Sequence, residues 1–200
     1  LKIMLNNDVY IIKFEMRGKF MKYYVVAVFD EDSYKNFSYT QKNLSKRFRG
    51  NRNSPTPYIP LEAIENPNLE KLELVIEKLI KPYKLFKVRL TNEILPIDNN
   101  KTLNIKITDY GYIKRLNRII SDTLKLHGFN VLDFNSDSLM YLSVANLNFI
   151  PKDMKKSSGD ITYKCVCETL KVDRIEIWKL SNNKKETVIK SYPLKKNLAI

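Results

Sequence analysis

The sequence predicts an α+β protein of two pseudo-symmetric lobes, each a mainly antiparallel sheet with helices on its outer face, around a central cleft. Three observations carry this. A short stretch occurs twice, as Pro57-Tyr58-Ile59-Pro60-Leu61 and as Met140-Tyr141-Leu142-Ser143-Val144-Ala145. Each copy follows an apolar strand, an amphipathic helix and a polar loop. The spacing is nearly constant: Val25 to Ile105 is 80 positions, Ser33 to Tyr112 is 79, and Tyr58 to Tyr141 is 83. Two copies are too few for a solenoid, and 200 residues suit one domain or two small lobes, long enough for a substantial core.

The elements follow in order. Residues 1–20 hold no long uncharged apolar run, so they read as neither a signal peptide nor a membrane span. Arg17-Gly18 can be encoded as a ribosome-binding site just before Met21, so 1–20 is expected to be a non-native extension. The single two-lobed domain is then 21–200. Tyr23 to Phe29 is a strand. Ser33 to Phe48 is a helix capped by Asp32 or Ser33 and stopped at Gly50, with Tyr34, Phe37, Gln41, Leu44 and Phe48 on one side. Asn66-Pro67 opens a second helix with stripe Leu69, Leu72, Val75, Ile76 and Leu79, ended by Pro82. Leu85–Leu90 and Ile94–Ile97 read as two strands, and Leu103–Thr108 as another. The third helix packs through Ile113, Leu116, Ile120 and Leu124 and ends at Gly128. Strand-like runs at 161–170, 174–180 and 187–192 follow, the last two joined by a turn at 181–185.

Within each repeated stretch the alternation of a strand sets two rows apart. Tyr58 and Pro60 share one face, as do Tyr141 and Ser143. Ile59, Leu61, Leu142 and Val144 point the other way, into apolar packing. The first row is expected to line the cleft and meet something polar. The basic loop from Arg49 to Pro57 leads into the first copy, which makes Arg49 and Arg52, with Pro60, candidates for the cleft rim.

In the order of its elements and in these motifs, the chain resembles the two-histidine phosphoesterase superfamily, which includes the 2′-5′ RNA ligases and cyclic phosphodiesterases. Members carry two His-x-Thr/Ser motifs, one per lobe. Pro57-Tyr58-Ile59-Pro60-Leu61 looks like the first, with tyrosine for histidine and proline for threonine. Tyr141-Leu142-Ser143 looks like the second, keeping only the hydroxyl. The resemblance spans about Met21 to Leu194. It implies that Tyr58 and Tyr141 stand where the family has its histidines and Ser143 where it has a phosphate-holding hydroxyl, so Tyr58, Tyr141 and Ser143 are the candidates for binding phosphate; no cofactor is expected, and no carboxylate cluster suggests a metal site.

The chemistry differs from the family's. There, one histidine takes a proton and the other gives one, a role suited to a pKa near neutrality. Tyrosine, with a reference pKa of about 10, donates a hydrogen bond at neutral pH but is a poor base. The chain has one histidine, His127, so a two-histidine mechanism is excluded. His127 falls in the last turn of the third helix, where it suits the carbonyl end. No residue is therefore assigned as catalytic.

Net charge is +13 and the pI about 9.6, which favours anionic partners such as RNA or a nucleotide phosphate. Cys165 and Cys167 form a lone C-x-C pair, read as reduced thiols of a cytoplasmic protein. Asp32, Asp109 and Asp133 read as caps. No phosphate loop or metal motif appears. The leading expectation is a degenerate phosphoesterase-like protein binding RNA or a phosphorylated nucleotide. The alternatives are a divergent phosphodiesterase using tyrosine, and a scaffold for a protein partner.

Overall fold

Lys22–Phe29 (β1) shows how the fold divides its side chains. Tyr23, Val25, Ala27 and Phe29 join the large core beneath the helices, while Val26 and Val28 join a small cluster on the opposite face. The computed structural model describes residues 21–51, 54, 56–97, 102–108, 111–132, 140–148, 169–180 and 186–196. The expectations for 1–20, Arg52, Asp109, Asp133, 161–168 with its two cysteines, and the turn at 181–185 lie outside the described residues.

Helix Glu31–Arg47 (α1) starts earlier than expected. Asp30 is the cap, its carboxylate accepting from the Ser33 N–H at 2.9 Å. Ser33 is already inside the helix and buried, and its hydroxyl accepts from the Lys171 N–H at 2.9 Å. At the other end Arg49, not Gly50, takes the left-handed conformation, with φ 52°. Gly50 answers a different need, because a Cβ there would lie 3.2 Å from the Ser45 Cα and 3.3 Å from the Ala145 Cβ.

Strand Ile59–Glu65 (β2) leads to helix Leu69–Ile80 (α2). Its cap is Asn68, which accepts from the Lys71 N–H at 3.0 Å. Asn66, the expected cap, sits in a turn at φ 45°, and its side chain accepts from the Met21 N–H at 2.9 Å. The two strands expected between Leu85 and Ile97 are one, Phe86–Ile97 (β3), with an irregularity between Leu90 and Ile94. Thr91 absorbs it: its hydroxyl donates to the Lys106 carbonyl at 3.1 Å and accepts from the Glu93 N–H at 3.0 Å.

Strand Thr102–Thr108 (β4) and helix Gly111–Leu126 (α3) follow. The four apolar residues expected to pack α3 are all buried, each contributing roughly 1.5–3 kcal/mol. Gly128, at φ 75°, ends the helix, and the Phe129 N–H returns to the Leu124 carbonyl at 3.1 Å. Strands Asn130–Leu132 (β5), Tyr141–Asn146 (β6), Thr169–Leu180 (β7) and Glu186–Pro193 (β8) complete the described chain.

These strands form one eight-stranded antiparallel sheet, ordered β5-β2-β1-β7-β3-β4-β6, with β8 on β7. Strand β7 joins the halves, pairing with β1 along one edge and with β3 and β8 along the other. The expected repeat is present: β1-α1-β2 corresponds to β4-α3-β6. Strand β6, at one end of this order, also meets the start of β2, because Tyr58 and Ser143 form an antiparallel bridge. The loop after α1 fastens the same seam. Asn51 N–H donates to the Asn146 carbonyl at 2.7 Å, and Asn146 N–H to the Ser54 hydroxyl at 2.8 Å.

Candidate functional site: the seam between the repeated strands

Both repeated strands direct their side chains as the alternation predicts. Ile59, Leu61, Leu142 and Val144 belong to the core under the helices, and Tyr58 belongs to the opposite face. Tyr58 and Ser143 exchange backbone hydrogen bonds, Tyr58 N–H to the Ser143 carbonyl at 3.2 Å and Ser143 N–H to the Tyr58 carbonyl at 2.8 Å. Bridge partners share a face, and the Tyr58 phenol also hydrogen bonds to the Ser143 side chain. In that register the next hydrogen-bonding position sets Pro60 opposite Tyr141. Proline has no N–H to give, so the ladder between β2 and β6 cannot continue there.

The two strands share a further feature. Val26 faces Pro60 but Val25 faces Glu62, leaving Leu61 as an extra residue. Asn104 faces Ser143 but Leu103 faces Ala145, leaving Val144 as an extra residue. Each repeated strand therefore carries a β-bulge immediately after Pro60 or Ser143. A bulge bends the strand and re-aims neighbouring side chains. Its unpaired carbonyl needs a donor, and in both cases the donor comes from the other half. Gln41 of α1 donates to the Val144 carbonyl at 3.1 Å, and Asn117 of α3 donates to the Leu61 carbonyl.

The face is less open than expected. Tyr58 is 6% exposed and Tyr141 7%. Trp178 of β7 covers Tyr58, its ring 4.9 Å from that of Tyr58, centroid to centroid. Trp178 sits opposite Tyr24 of β1. Burial pushes the Tyr58 phenol up to about 12, with the Ser143 hydrogen bond acting against the shift. Burial also pushes Tyr141 up, and the neighbouring Tyr58 and Tyr24 add to it. With a pKa near 12, about one Tyr58 in 10⁵ is ionised at pH 7. These phenols can donate a proton in a hydrogen bond but cannot serve as bases at neutral pH.

Residues that the motifs did not point to complete the face. Lys106 lies opposite Tyr141 and Asn104 opposite Ser143. The Lys106 ammonium is 2.9 Å from Glu93. Along β7, Arg174, Glu176 and Trp178 lie opposite Val28, Val26 and Tyr24. The buried Glu176 carboxylate accepts from Arg174 Nε at 2.8 Å, Trp178 Nε1 at 2.6 Å and the Ser191 hydroxyl at 3.2 Å. The Arg174 guanidinium also donates to the Phe29 carbonyl at 2.9 Å and to Asp173 at 2.7 Å. Period-two alternation in Leu103–Thr108 was a signal for Asn104 and Lys106. Nothing local marked Trp178 or Glu176, because their partners come from distant strands.

The other candidates differ in place. Pro60 is buried in the seam and not at a rim. Arg49 is exposed at the end of α1, where its N–H donates to the Lys46 carbonyl at 3.4 Å. His127 is exposed at the end of α3, its Nδ1 2.8 Å from the Thr123 carbonyl. Among the described residues no group of three or more His, Cys, Asp or Glu is placed to hold a metal. Among them, too, no helix is long and apolar enough to cross a membrane.

No family model and no curated protein matches the chain. Solved structures do. LigT of E. coli in complex with 3′-AMP aligns at a TM-score of 0.57 and 9% identity, over 88% of this chain and 99% of that one. TT0787 of Thermus thermophilus aligns at 0.59 and 12% identity over the same shares, 88% and 99%. A crystal structure described only as a phosphoesterase gives 0.57 and 10%, again over 88% and 99%. LigT has also been solved with NADP+, ATP and phosphate.

Proposed function

We propose that this chain, which has the fold of the LigT-like two-histidine phosphoesterases, binds RNA or a phosphorylated nucleotide at the seam between its repeated strands without two-histidine catalysis. One observation carries the reading: Tyr58 of one repeated strand and Ser143 of the other meet in a backbone bridge, and Lys106 lies opposite Tyr141 beside it. Tyr141, Ser143 and the facing Lys106 are the groups assigned to phosphate. A phenol and a hydroxyl supply hydrogen bonds to its oxygens, and the ammonium supplies charge at the cost of loosening Glu93. Tyr58 is assigned to the floor of the site, with Trp178 behind it.

Catalysis by positioned acids and bases is worth about 10²- to 10⁴-fold per group. The substituted phenols keep their protons at neutral pH, so the base is missing even where the acid is not. That E. coli LigT has been solved with 3′-AMP, ATP and phosphate supports the choice of ligand class. The net charge of +13 supports an anion. Calorimetric titration with 3′-AMP tests the reading. Saturable binding that weakens with salt and is lost in Lys106→Ala/Ser143→Ala is expected. Equal heats from wild type and the double variant would refute it.

A further inference from the structure

Away from the seam, the start of β3 and the start of α3 build an aromatic cluster at the surface. Tyr112 is 47% exposed. Its ring meets Tyr83 edge-on at 6.1 Å and Phe86 at 4.8 Å, so it is braced from two sides while its remaining surface is open. Cations adjoin the cluster at Tyr83. Lys84 and Lys195 are partners in a backbone bridge, with Lys195 N–H to the Tyr83 carbonyl at 3.0 Å and Leu85 N–H to the Lys195 carbonyl at 2.9 Å. Arg115 follows Tyr112 by three positions on α3, which puts both on one helix face, and its charge acts on the Tyr83 hydroxyl.

The charge is unbalanced. Residues 81–89, 111–118 and 195–196 contain no aspartate or glutamate. Among the described residues, Lys84, Arg115 and Lys195 have no carboxylate within ion-pairing distance, whereas Lys106, Lys171 and Arg174 all do. Two lysines on facing backbone positions repel each other. Such an arrangement is relieved by an anion. A braced, exposed ring beside it adds a flat surface for stacking, which an acidic peptide does not need and a nucleobase does.

We propose that this patch is a second binding surface, taking a single-stranded nucleic acid with a base stacked on Tyr112 and its phosphates on Lys84, Arg115 and Lys195. It is independent of the seam. Stacking tolerates any base, and phosphate contacts release counterions, so binding there is sequence-tolerant and salt-sensitive.

Fluorescence anisotropy of a labelled oligouridylate on the full chain tests it. Tyr112→Ala is expected to weaken binding about tenfold, and Tyr112→Phe to keep it. Lys84→Glu/Lys195→Glu should lower the salt slope by about 1.4. In the Lys106→Ala/Ser143→Ala background, where the seam no longer contributes, Tyr112→Ala should still weaken oligonucleotide binding by the same factor, which separates this patch from the seam site. Tyr112 is at the surface, and circular dichroism of Tyr112→Ala checks that the fold is kept. Unchanged affinity in folded Tyr112→Ala, or equal displacement of the oligonucleotide by polyglutamate, would overturn the proposal.

Discussion

The side-chain amide of Gln41 donates at 3.1 Å to the carbonyl of Val144, the bulged residue of β6. Asn117 makes the matching bond to Leu61, the bulged residue of β2. Each half of the molecule thus supplies the donor for the bulge in the other half's repeated strand. A bulge left without a donor would bury a bare carbonyl, so the two bonds hold both motif strands in shape and fasten the halves together.

Replacing either amide should expose that dependence. Gln41→Leu and Asn117→Leu keep much of the volume but strand a carbonyl, at a cost of about 1–3 kcal/mol each. Urea denaturation at pH 7 measures it. A midpoint unchanged in both variants would mean that the bulges are satisfied some other way.

Tyr58 acts through its ring and through its hydroxyl, and two substitutions separate them. Tyr58→Phe keeps the contact with Trp178 and loses the bond to Ser143, at about 1 kcal/mol. Tyr58→Ala also opens a cavity beside Trp178 and should cost about 3–5 kcal/mol. Comparable losses in the two variants would place the energy in the hydroxyl instead.

The raised phenols make stability fall at high pH. Unfolded tyrosine loses its proton near pH 10, while folded Tyr58 holds it to about 12. Its contribution is therefore full below pH 10 and drains away as pH rises through 12, on the order of 2 kcal/mol. Urea midpoints across that window should decline more gently in Tyr58→Phe than in wild type. Parallel declines would contradict the assignment.

Glu176 is buried and surrounded by donors, so its loss leaves Arg174 and the Trp178 N–H underpaired. Glu176→Ala is expected to cost about 2–3 kcal/mol, while Ser191→Ala, which removes one weaker bond, should cost less than about 1 kcal/mol. Calorimetric melting of both variants gives the comparison, and the reverse ranking would show that the carboxylate is held elsewhere.

The α+β class, the three helices and the repeat were legible because each rests on local periodicity. The rows Ile59/Leu61 and Leu142/Val144 were readable for the same reason. Cap positions shifted by a few residues, since Asp30 and Asn68 compete with neighbours of equal propensity. Gln41 was readable as a residue on the packed side of α1, but not as a donor, because its acceptor is a bulge in a distant strand. The covering of Tyr58 by Trp178 was hidden for a related reason. It depends on the pairing of β7 with β1, which no pattern within either segment encodes.

The most direct test of the central claim is phosphorus NMR of a 2′,3′-cyclic nucleotide mixed with the protein. The account predicts a resonance that shifts or broadens in proportion to added protein, is restored by salt, and gives no monoester peak over hours. A resonance indifferent to the protein, or a monoester that accumulates in wild type and not in Tyr141→Phe, would contradict it.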